Sequence, residues 1–126
     1  MKLDKDLVRD ILLAVEADTD HPYKFFSLDF EGHSKREIAY HVMQLHEAGF
    51  LEAANLCHSG ADGFDWQPKH LTYRGHEFLD SIRDPEIWQR TKSGAEKAGG
   101  ASVGFLWDLA KAYGKHLAAE RLGIPI

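Results

Sequence analysis

The stretch from Ser34 to Leu71 constrains the fold most, because a capped helix there runs into two strands with a single glycine between. Ser34 is a strong N-cap, and Glu37 three residues later completes a capping box. Ile38, Val42 and Leu45 follow at spacings of four and three, which marks one buried helical face. Gly49 suits the left-handed position just past a helix end. Phe50–Leu56 then reads as a strand, Gly60 and Asp62-Gly63 as a hairpin tip, and Trp66–Leu71 as the returning strand. Pro68, with no N–H to donate, confines that second strand to a sheet edge.

The flanks are mostly helical. From Asp4 to Glu16, the residues Leu7, Val8, Ile11, Leu12 and Val15 keep helical spacing, with Asp4 and Asp6 in the first turn, where negative charge suits the helix dipole. That helix is expected to fail near Thr19–Pro22, since Pro22 disfavours a helical residue before it. Phe25–Phe30 reads as a short strand with Phe26, Leu28 and Phe30 on one face. Thr72 caps a helix containing Glu77, Phe78, Leu79 and Ile82, and Asp84-Pro85 opens another that runs to about Lys97. Gly99-Gly100 is a turn; Ser102 caps a last helix to Leu122, closed by Gly123 and Pro125. This order predicts a mainly α chain with a small β-hairpin (α+β): a winged helix over residues 1–84 and a C-terminal helical extension over residues 85–126, packed on it or forming a dimer contact.

Two segments resemble known patterns. Ser34-Lys35-Arg36-Glu37-Ile38-Ala39-Tyr40-His41-Val42-Met43-Gln44-Leu45-His46-Glu47-Ala48-Gly49-Phe50-Leu51 resembles the reading helix of bacterial winged-helix repressors, including the arsenical-resistance type. Leu71-Thr72-Tyr73-Arg74-Gly75-His76-Glu77-Phe78-Leu79 is similar to the step after the wing in the phenolic-acid-repressor type. Over nearly the whole chain, including Ile82-Arg83-Asp84 and Ile87-Trp88, the sequence resembles a bacterial and prophage family of unknown function with a predicted winged-helix fold. The resemblance implies that fold and a bacterial or phage setting, and no activity, ligand or catalytic residue. The chain departs from the repressors in one place: residues 25–32 read as strand and turn where a helix normally precedes the reading helix.

On the helix from Ser34 to Gly49, steps of about 100° per residue turn Arg36, Tyr40, Met43, Gln44 and Glu47 outward when Ile38, Val42 and Leu45 face in, with Lys35 near the first turn. As a DNA face, Arg36 would meet guanine or phosphate, Gln44 adenine, and Tyr40 a phosphate or a thymine methyl, while Glu47 sits badly against phosphate. The same aromatic and thioether fit a protein partner. Lys69 and Arg74 lie further on and could add to either contact.

Charge tempers the DNA expectation. The net charge is −5, where a chain held by phosphates usually shows a basic face. Residues 1–33 hold four Lys/Arg against eight Asp/Glu, residues 34–85 five against eight, and residues 86–126 six against four, so only the last stretch is basic. The hairpin tip from His58 to Asp65 has two acids and no Lys or Arg.

Other classes find little support. Eight histidines are present, but no recognisable zinc-ligand spacing joins them, so neither a metal nor another cofactor is expected. A phosphate-cradling Gly-rich loop, a nucleophile elbow and a His-Glu-x-x-His pattern are all missing, and catalysis is not expected. No apolar run approaches the ~20 residues that span a bilayer, which argues against a membrane partner. The acid-rich start does not read as a signal peptide and Cys57 is the single cysteine, so a cytoplasmic setting is expected. The last helix carries an apolar stripe of Leu106, Leu109, Ala110, Tyr113 and Leu117, which either covers its own core or, through Leu106, Leu109, Tyr113 and Leu117, forms a homodimer contact.

Overall fold

A computed structural model of the chain describes residues 1–18, 20, 24–100 and 102–123. Its elements form where side-chain caps and apolar spacing coincide: α1 (Lys5–Ala17), α2 (Lys35–Glu47), β1 (Leu51–Asn55), β2 (Trp66–Leu71), α3 (Tyr73–Ile82), α4 (Pro85–Lys97) and α5 (Val103–Leu122). The chain is mainly helical with one small two-stranded antiparallel sheet, an α+β arrangement. It divides into two compact units, Met1–His76 and Glu77–Ile126, with the boundary inside α3. Among the described residues, no helix is long and apolar enough to cross a membrane.

In the first unit, α1 and α2 pack on each other and on the sheet. Leu7, Val8, Ile11, Leu12 and Val15 of α1 are buried, as are Ile38, Ala39, Val42 and Leu45 of α2 and Phe50, Leu51 and Leu71 of the hairpin. Asp4 is the N-cap of α1, outside the first turn where the sequence put it, and its carboxylate accepts from the Leu7 N–H (3.1 Å). Asp18 closes the helix; Thr19 and Pro22, where the break was expected, lie outside the described residues. The strands pair Leu51 with Leu71 and Glu52 with His70, then shift by a bulge so that Ala53 meets Pro68 and Lys69 is the extra residue.

The expected strand at Phe25–Phe30 does not form. Phe26, Leu28 and Phe30 do alternate against more exposed neighbours, and the Phe26 N–H donates to the Pro68 carbonyl (3.1 Å). The alternation is strand-like but the ladder fails, because Pro68 can accept there and has no N–H to return.

A tight joint links the end of α2 to the start of α3. Gly49 takes a left-handed φ of 84° to leave the helix. Thr72 Oγ1 donates to the Gly49 carbonyl (2.6 Å) and accepts from the Gly75 N–H (3.1 Å), which makes it the expected cap of α3. The Thr72 N–H donates to the Phe50 carbonyl (3.2 Å). A Cβ on Gly75 would stand 1.8 Å from that same carbonyl oxygen, so only glycine lets α3 start this close.

In the second unit, α4 and α5 pack together over Trp88, Ala95, Val103, Leu106, Trp107, Ala110 and Leu117, with Phe78, Leu79 and Ile82 of α3 also buried. Asp84 caps α4 through the Glu86 and Ile87 N–H groups, with Pro85 in the first turn, and Ser102 caps α5 through the Phe105 N–H. Gly94 lets α5 pack close, since a Cβ there would lie 2.5 Å from the Tyr113 hydroxyl and that ring would have to shift. Gly123 ends α5 at a φ of 67°. Arg121 donates to Asp84 (2.8 Å) and Glu86 (3.1 Å), and its guanidinium holds the Asp84 carboxyl below its ordinary range. Such a depressed carboxyl supports the fold above its ordinary pKa and loses that support as pH falls through the lowered value.

Candidate functional site

The face that the sequence turns outward on α2 is outward in the structure. Ile38, Ala39, His41, Val42 and Leu45 are buried, whereas Lys35, Arg36 and Glu47 are exposed and Tyr40, Met43 and Gln44 are half-buried. Ala39 and His41 were missing from the expected inner face. Ser34 caps the helix by accepting from the Glu37 N–H (3.0 Å). The reciprocal half of the expected capping box is absent, because the Glu37 carboxylate pairs instead with the His33 ring. With one cap bond at this end, Ser34→Ala is expected to lower stability by ~1 kcal/mol in urea unfolding.

The hairpin loop of residues 56–65 folds back on the start of this face. Its ends are tied by the Leu56 N–H to the Asp65 carbonyl and the His58 N–H to the Gly63 carbonyl, both 2.8 Å. Asp62 adopts a left-handed φ of 57°, and a Cβ on Gly63 would sit 1.9 Å from the His58 carbonyl oxygen. This turn delivers Phe64 and Asp65 to α2. The Arg36 guanidinium lies 5.7 Å from the centre of the Phe64 ring, and Lys35 Nζ is 3.9 Å from Asp65 Oδ2. Lys35 remains 69% exposed, so its pair is weak and easily exchanged. Beside it a cleft of about 260 Å³ is lined by Leu28, Asp29, Lys35, Ile38, Asp65 and Trp66.

The other two expected contacts lie elsewhere. Lys69 is the half-buried bulge residue of β2. Arg74 is exposed at the start of α3, its guanidinium 4.8 Å from the centre of the Phe50 ring and its Cδ beside Gly49. Arg74 therefore stands near the C-terminal end of α2, and Lys35 and Arg36 at its N-terminal end. Thirteen residues of helix span about 20 Å between them.

His41 was expected as one of eight histidines without metal-ligand spacing, and not as a buried residue of α2. It is fully buried on α2, its Nδ1 donating to the Glu37 carbonyl (2.8 Å) and its Nε2 accepting from the Asp4 N–H (2.7 Å). Both ring nitrogens are thus occupied by backbone, in the neutral form with the proton on Nδ1. The ring pins the cap of α1 to α2 and is taken up by structure. Among the described residues, no group of three His, Cys, Asp or Glu is placed to hold a metal ion. Cys57 is exposed, its thiol 3.6 Å from the Asp65 carbonyl.

Along the apolar stripe of α5, Leu106, Ala110 and Leu117 are buried within the chain, while Leu109 and Tyr113 are half-buried. The stripe is largely spent on the chain's own packing, and Lys111 on the next face stands 4.7 Å over the Trp107 ring.

A protein of Haemophilus influenzae (strain ATCC 51907 / DSM 11121 / KW20 / Rd), described as "Uncharacterized protein", is 32% identical over 93 residues, which cover 74% of this chain and 77% of that one. No solved structure matches the chain. The family described as "Hypothetical protein (DUF2513)" matches residues 2–101. That span takes in α1, the buried His41, the outward face of α2, the hairpin loop and the Gly49–Gly75 joint, and by it the chain belongs to the DUF2513 family.

Proposed function

We propose that the chain is a non-catalytic DNA-binding protein of winged-helix type, a cytoplasmic bacterial or prophage regulator that needs no cofactor. In this reading α2 enters the major groove and the hairpin loop is the wing. One observation carries it: α2 buries one side and turns Lys35 and Arg36, exposed, and Tyr40, Met43 and Gln44, half-buried, to the other, directly ahead of the hairpin. Arg36 would read guanine or hold phosphate, Gln44 would pair with adenine, and Lys69 and Arg74 would rest on the backbone. Self-association through the C-terminal helix would set two copies of α2 on one duplex.

Fluorescence anisotropy with a mixed-sequence duplex tests the reading. Binding at low salt that weakens steadily as salt rises is expected, with Arg36→Ala weakening it several-fold. Absence of binding at low salt ends the proposal.

A second reading, a winged-helix adaptor for a protein partner, is favoured by the loop. Asp62 and Asp65 are its charged residues, and Phe64 and Asp65 already engage Arg36 and Lys35. Met43 and Tyr40 would then be the anchors. Pull-down from bacterial lysate should lose a specific partner on Tyr40→Ala/Met43→Ala; an identical set of partners would sink it.

A further inference from the structure

The second unit carries a shallow groove of about 480 Å³ along α3 and α5. Its α3 side presents Glu77 and Asp80, and its α5 side presents Lys111 and Lys115, so the two sides have opposite sign. Asp80 is shared with Arg83 and Lys111 with Asp108. Among the described residues, Glu77 and Lys115 have no ion-pair partner within the chain.

The α5 side also contains Gly114, in the middle of a 20-residue helix. Glycine weakens a helix interior relative to alanine, so its presence asks for a packing reason. Gly94 has one inside the chain, in the Tyr113 hydroxyl. Gly114 has none: among the described residues it is the one helical glycine whose added Cβ would meet nothing within 4 Å. The open space there, continued by Ala118, lets a foreign backbone come close.

We infer that this groove is the contact between two copies of the chain, with α3 of each copy laid over Gly114 and Ala118 of the other. Charge decides the occupant and the geometry. A polyanion would be repelled by Glu77 and Asp80, and a polycation by Lys111 and Lys115. A second copy satisfies both sides at once if the two-fold axis runs along the groove, because that rotation sets the acidic side of one copy against the basic side of the other. An axis across the groove would set like against like. This gives a face to the self-association included in the proposed function, and it differs from the stripe of Leu106, Leu109, Tyr113 and Leu117, which is largely covered.

Sedimentation equilibrium of the full chain without nucleic acid tests it, so that failure here leaves the DNA proposal standing. A dimer at low salt that dissociates as salt rises is expected. Lys115→Glu should weaken the dimer about tenfold or more, and Glu77→Lys with Lys115→Glu should restore it. Gly114→Leu should give a monomer whose helix content and melting temperature, compared at high salt where the wild type is monomeric too, are at least those of the wild type, which separates a blocked contact from a damaged fold. A wild-type chain that stays monomeric at low salt, or a dimer unmoved by Gly114→Leu and Lys115→Glu, overturns the inference.

Discussion

Gly75→Ala is expected to destabilise the chain by about 3 kcal/mol or more, read as a lower midpoint in urea unfolding followed by far-UV circular dichroism. The sign makes this test sharp. Gly75 lies in the first turn of α3, where replacing glycine by alanine would ordinarily strengthen a helix by roughly 1 kcal/mol. Here the new methyl would stand 1.8 Å from the Phe50 carbonyl oxygen, which is backbone and cannot swing away. To admit it, α3 must back off, and the Thr72 bonds to Phe50 and Gly49 go with it. An unchanged or raised midpoint would mean that the close approach of α3 to the hairpin root does not exist.

His41→Leu is expected to lower stability by about 2–3 kcal/mol in the same measurement. Leucine nearly keeps the buried volume and removes both ring nitrogens, so the loss is chiefly polar. The Asp4 N–H would be left without its acceptor and the Glu37 carbonyl without its second donor. Amide exchange in the first turn of α1 should accelerate more than exchange in α4. His46→Leu is the comparison: that ring is half-buried, with a 3.3 Å contact to the Leu51 carbonyl and the Trp66 ring 5.5 Å away, and should lose less. Equal effects at the two positions would remove the special role given to His41.

Capping chemistry was the most legible part of the fold. Ser34, Thr72, Asp84 and Ser102 each cap the helix that their position announces, and Gly49 and Gly123 leave theirs in the left-handed region. These signals are readable because donor, acceptor and backbone lie within about four residues of one another. Two of the misses, at Phe25–Phe30 and at His41, were settled by groups further off. Phe25–Phe30 has the alternation of a strand, but a ladder depends on the neighbour, and that neighbour is Pro68. Glu37 has the spacing of a capping box, yet the His33 ring competes for its carboxylate. His41 reads as polar in sequence, and its acceptor role depends on a backbone N–H 37 residues away.

The outward face of α2 was legible for the same reason as its inner one, since burying Ile38, Val42 and Leu45 fixes where Arg36, Tyr40, Met43 and Gln44 go. The hairpin tip at Asp62-Gly63 was expected; what the sequence did not show was that the loop would meet the start of this face. Arg36 meets Phe64 and Lys35 meets Asp65 only because Asp62 and Gly63 turn the chain back, and loop conformation of this kind is not periodic.

That return changes what a polyanion would experience at this face. If the proposed DNA contact forms, a phosphate that approaches Lys35 would meet an ammonium already paired with the Asp65 carboxylate at 3.9 Å and would displace it instead of landing on a bare charge. Binding would then be an exchange of one anion for another, and fewer small ions would be set free than the number of touching cations suggests. The slope of log affinity against log salt would fall short of the count of contacting cations, and Asp65→Asn would steepen it toward that count.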